Sequence, residues 1–151
     1  MAKLKKQHMT IHWKAIVQDD SSIPATEATL KEKATLVGRI GLMMLSVGTG
    51  AWRVRNSMNK VARCLGITCT ADIGLLAISY TCIEGTDTYT QSISNPTTGV
   101  NTHKLMQLEL FMKEFPDKVS TYSVKHIHEV LDEIQKLPAN YKAWNLGLAS
   151  A

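Results

Sequence analysis

The sequence predicts an α+β domain: a small antiparallel three-stranded sheet covered by about four amphipathic helices. Three observations lead there. Apolar residues recur at helical spacing in four segments, two before and two after residues 67–94. Within 67–94 the period changes to two, the signature of half-buried strands. Aromatic residues make up only 6% of the chain, so the core must be aliphatic and Met-rich, which suits helices on a small sheet better than a β-sandwich. The apolar and charged fractions, 44% and 20%, belong to a globular chain, and 151 residues suffice to bury an ordinary core.

Residues 1–25 read as a basic tail and loop, 26–138 as one folded domain, and 139–151 as the start of a further segment. Thr26 is the expected cap of a first helix reaching Ser46, with Leu30, Ala34, Val37, Gly41 and Leu45 on one side. Leu36, Ile40 and Met43 widen that stripe, so burial on more than one side is expected. Gly38 and Gly41 each cost about 1 kcal/mol against Ala, which close packing on a neighbour should offset. Val47-Gly-Thr-Gly50 breaks the helix and Thr49 is placed to cap a second. Its face is Ala51, Val54, Met58, Val61 and Leu65, and Gly66 supplies the left-handed stop. Strands follow at 67–73, 75–83 and 88–94, with Glu84-Gly-Thr-Asp87 as a turn. Asn101 or Thr102 caps a third helix, which Pro116 stops; a fourth begins at 120–123 and ends at Pro138.

The charge is unevenly placed. Lys3, Lys5 and Lys6 make a basic tail, and no acid lies between Glu32 and Asp72, where Arg39, Arg53, Arg55, Lys60 and Arg63 stand as one oriented face or as separate solvated residues. Beyond Asp72 acids outnumber bases and aromatics are scarce, which argues against a nucleic-acid partner. Cys64, Cys69 and Cys82 are odd in number and lack C-x-x-C spacing, as expected in a reducing compartment without structural zinc. No stretch approaches the roughly 20 apolar residues of a membrane span; Ile40–Trp52 carries three glycines. The last residues, from Asn140, place Tyr141 and Trp144 ahead of a small, apolar run, as at a membrane interface or in an ordinary frayed terminus.

Met43-Met-Leu-Ser-Val-Gly-Thr-Gly-Ala-Trp-Arg-Val-Arg-Asn-Ser-Met58, then Val61-Ala-Arg-Cys-Leu-Gly-Ile67, resembles the soluble domain of the threonine/serine exporter (ThrE) family. Gly99-Val-Asn-Thr-His-Lys-Leu105 resembles that family's second recurring motif, and 120–141 the stretch before its first membrane span. The resemblance covers residues 28–148 in order. It implies a cytoplasmic N-terminal domain that gates an exporter, holds a partner or samples a substrate. The membrane domain would lie beyond 139–151 or in a partner polypeptide, and the soluble part could form a homo-oligomer. The uncharged third strand, Thr88–Ser94, departs from relatives that place a basic residue near there.

The same resemblance suggests a hydrolase-like alternative, but the chain has no nucleophile elbow, and Asp72, Ser79 and His103 are only a loose set. No catalytic residue, cofactor or metal site is assigned. His126 and His128, two apart on a helix, point in opposed directions and are read as solvent-exposed. The best site candidates are Thr49, Gly50, Arg53 and Arg55 at a helix start, where free N–H groups favour anions, with Asn101 and His103 opening the third helix. A small amino or carboxylic acid is the ligand this pattern suggests; the bland alternative is a tight helix–helix turn with solvated arginines.

Overall fold

The computed structural model describes residues 13–17, 22–75, 77–94 and 101–137. The readings placed on the basic tail, on Asn95–Gly99 and on the C-terminal segment after Leu137 lie outside them. Four helices, α1 (Leu30–Ser46), α2 (Ala51–Cys64), α3 (Thr102–Lys118) and α4 (Val124–Gln135), frame one sheet of β1 (Thr68–Ile73), β2 (Ala77–Glu84) and β3 (Asp87–Ser94). The sheet is an antiparallel meander in the order β1-β2-β3, so the α+β expectation is met.

Among the described residues, two helices make the main contacts with the sheet. α1 packs on β2 and β3 and α2 on β1, while α3 and α4 form an outer layer against α2 and α1. The four expected helices are thus arranged in two layers over the sheet, and this explains α1. Every residue from Glu32 to Leu45 is buried, because sheet, α2 and α4 surround the helix. The sheet's other face is open and lined by hydroxyls, with Ser79 Oγ 2.9 Å from Ser92 Oγ and Thr81 Oγ1 2.8 Å from Thr90 Oγ1. The alternation in the sequence therefore records one covered and one solvated face.

The two glycines of α1 are close-approach points, as expected. A Cβ on Gly38 would lie 2.1 Å from the Tyr80 hydroxyl, and one on Gly41 would lie 2.5 Å from Met58 Sδ. Tyr80 uses the space to place its hydroxyl 2.8 Å from both the Ala34 carbonyl and Gln91 Oε1, so the buried phenol is satisfied.

Local signals differ from the sequence reading at three places. The cap of α1 is Thr29, not Thr26: Thr29 and Glu32 form a capping box, and Ala25–Glu27 make a 3-10 turn ahead of it. The cap of α2 is Gly50, because the Thr49 hydroxyl turns back to the Met44 carbonyl at 3.0 Å. α3 runs through Pro116 to Lys118. Pro116 is exposed while Phe115 and Val119 on either side are buried, so packing outweighs the one hydrogen bond the proline removes in the last turn. Gly66 behaves as read, with φ +78° just past α2.

Candidate functional site

The corner where α1 turns into α2 is also where α3 begins. The Asn101 N–H donates to the Val47 carbonyl at 3.3 Å, and the Asn101 side chain caps α3 by accepting from Lys104 N at 3.1 Å. Further along, Arg53 of α2 forms an ion pair with Glu109 of α3. Thr49, Gly50 and Arg53 are thus brought to the same side of the molecule as Asn101 and His103 at the start of α3. Arg55 is not: its Nε reaches the Ala71 carbonyl of β1 at 3.4 Å, on the sheet side of α2.

Between α2 and α3 lies an open cleft of about 280 Å³, lined by Met44, Arg53, Asn56, Ser57, Lys60, Glu109, Met112 and Lys113. Helical spacing puts Arg53, Asn56, Ser57 and Lys60 on one face of α2, and Glu109, Met112 and Lys113 on one face of α3. Met44 and Met112 are buried and form the floor. Three cations, one carboxylate and two uncharged hydrogen-bonding side chains therefore meet over an apolar base. Of the site candidates singled out in the sequence, Arg53 lines this cleft, while Thr49, Gly50, Asn101 and His103 do not. The sequence reading found Arg53 but not Glu109 or Lys113; their periodicity on an amphipathic helix carries no sign of which cations they will face.

A second polar cluster lies inside the protein, and it overturns two expectations. Arg39 is 5% exposed, so it does not belong to a basic surface. It donates from Nη1 to the His128 carbonyl at 3.0 Å, and the same Nη1 lies 3.0 Å from His128 Nδ1. Its Nη2 pairs with Asp132 and donates to Gln135 Oε1 at 2.9 Å. Burial lowers the Arg39 pKa from its usual value, and Asp132 pulls it back. His128 was expected at the surface and is fully buried; His126 is exposed as expected. Because Nδ1 accepts from arginine, Nε2 must carry the proton, and among the described residues it has no acceptor. Trp13 stacks on the imidazole at 4.8 Å with the rings 3° from parallel, and donates to Asp132 at 3.3 Å. Desolvation, then Arg39, lowers the His128 pKa to about 3, so the ring is neutral at physiological pH. One signal was available for this cluster: Arg39 is the lone charge in an apolar run from Ala34 to Leu45.

The hydrolase set is not assembled. Asp72 and Ser79 do stand directly opposite on the open sheet face, but the Ser79 hydroxyl is engaged with Ser92. His103 opens α3, a helix that packs on α2 and α4 rather than on the sheet.

No helix among the described residues is long and apolar enough to cross a membrane. Comparison with curated proteins and with solved structures returns no match. The family model of the ThrE threonine/serine exporters matches residues 35–151, which take in α1 from Thr35 onward, α2 to α4, the sheet and the cleft. The chain therefore belongs to the threonine/serine exporter family.

Proposed function

We propose that this domain is the extramembranous module of an exporter-type transporter and that the α2–α3 cleft samples the transported amino acid. The observation that carries this reading is the mixed charge of the cleft. A zwitterionic amino acid presents a carboxylate and an ammonium group a few bonds apart. Arg53, Lys60 and Lys113 suit the first and Glu109 suits the second, while Asn56 and Ser57 can hydrogen-bond a side-chain hydroxyl. The Arg53–Glu109 pair is half-exposed, so opening it costs little, and each partner regains a counter-charge when the ligand enters.

In this reading the domain faces the cytoplasm, beside a membrane part in the same or a partner polypeptide, and reports substrate supply to it as a gate. The test is threonine efflux from cells carrying the complete transporter. Arg53→Ala and Glu109→Ala should each lower efflux several-fold at unchanged membrane abundance, whereas Lys136→Ala, on the exposed end of α4, should not. Equal efflux from all three variants would remove the cleft from the transport cycle.

A further inference from the structure

Cys69 and Cys82 are directly opposite each other on β1 and β2, both on the covered face of the sheet. The kind of pair they form follows from the hairpin. Gly74 N–H donates to the Ala77 carbonyl at 2.8 Å, which makes Gly74 and Ala77 a hydrogen-bonded pair. Hydrogen-bonded and non-hydrogen-bonded pairs alternate along an antiparallel ladder. Counting back through Ile73–Ile78, Asp72–Ser79, Ala71–Tyr80 and Thr70–Thr81 makes Cys69–Cys82 a non-hydrogen-bonded pair. Such partners have Cα atoms about 4.5 Å apart and their side chains at closest approach. A disulfide needs Cα atoms roughly 4.4–6.8 Å apart, so the bond can close without moving either strand.

We infer that Cys69 and Cys82 are a preorganised dithiol that a small-molecule disulfide of the glutathione type converts to an intramolecular disulfide. Cys69 is the entry point. It lies on an edge strand and is 9% exposed, whereas Cys82 is in the central strand and fully sealed. The Cys82 thiol donates to Cys69, which favours the Cys69 thiolate and holds Cys82 protonated. The Cys69 thiolate attacks one sulfur of the oxidant; the oxidant's S–S bond breaks and its leaving thiolate takes up a proton. The Cys82 sulfur then attacks the Cys69 sulfur of the mixed disulfide, and its proton passes to the second small thiolate as that group is expelled. Two protein thiols are oxidised and one small disulfide is reduced to two thiols. The product staples edge strand β1 to β2 beneath α2, the helix that forms one wall of the cleft.

The experiment is equilibration of the folded protein with oxidised and reduced glutathione, followed by acid quench, alkylation in denaturant and peptide mass spectrometry. The expected result is loss of two alkylatable thiols together, joined as a Cys69–Cys82 peptide pair, with Cys64 still alkylated. Cys82→Ala should leave a persistent glutathione adduct on Cys69, and Cys64→Ser should change nothing. A disulfide that includes Cys64, a lasting adduct on Cys69 of the unaltered chain, or pairing only after denaturation would each overturn the inference.

Discussion

Arg39 and Arg53 stand on neighbouring helices, and each meets a carboxylate of the outer layer, Asp132 on α4 and Glu109 on α3. The chemistry is the same and the surroundings are not. The Arg39 side chain is 6% exposed and also holds His128 and Gln135; the Arg53 side chain is 48% exposed and its only described ion-pair partner is half-exposed too. In low dielectric a guanidinium cannot be left without partners, so the Arg39 network fixes how α1 and α4 pack. At the surface the pair is worth about 0–1 kcal/mol and can be exchanged for a ligand's charges. One basic segment thus divides into a residue committed to the fold and a residue free to serve a site.

The largest expected effect follows from breaking the buried member. Arg39→Ala should cost about 3–5 kcal/mol in urea unfolding, because Asp132 loses its counter-charge and the His128 carbonyl and Gln135 lose the guanidinium donor. A cost below about 1 kcal/mol would show that α1 and α4 are held by apolar packing alone. The glycines sharpen the point within α1. Gly38→Ala should destabilise by about 1–3 kcal/mol, since the Tyr80 ring and hydroxyl are held by a hydrogen bond. Gly41→Ala should cost less, because the Met58 thioether can move aside and Ala regains about 1 kcal/mol of helix propensity.

The third effect is a pH dependence. The folded His128 pKa of about 3 lies below its ordinary 6.5, so from pH 6.5 downward the unfolded chain binds the extra proton and stability falls. The slope from this residue reaches about 1.4 kcal/mol per pH unit and vanishes above pH 6.5, where both states are neutral. Arg39 and Asp132 face the same ring, so His128→Gln should flatten the acid limb relative to the unaltered chain. The smallest stability effect is at the surface. Arg53→Ala should change stability by less than about 1 kcal/mol, while abolishing ligand binding in the cleft.

Most of the fold was legible because its elements other than α1 bury one side and expose the other. Val54, Met58 and Val61 and the alternation from Ile67 to Ile73 appear in the structure as written in the sequence. The misreadings share a cause: α1 is enclosed by sheet and helices together, and a sequence pattern does not say which neighbour will enclose a charged residue. Arg39 and His128 therefore looked like surface groups. Thr29-Leu-Lys-Glu32 did carry the capping-box signature that Thr26 lacks. The cleft was half legible, since glycine and arginine at a helix start are a local pattern, whereas Glu109 and Lys113 join it only through the packing of α3 on α2.

The measurement that tests the cleft most directly is a titration of the isotopically labelled protein with L-threonine, acetate and methylamine, followed by amide shifts. Saturable shifts are expected at Arg53, Asn56, Ser57, Lys60 and Glu109 with threonine, weaker ones with either fragment, and their loss in Glu109→Gln. Equal response to acetate and threonine, insensitive to Glu109→Gln, would make the cleft a simple anion site; no shift there at saturating threonine would contradict the account outright.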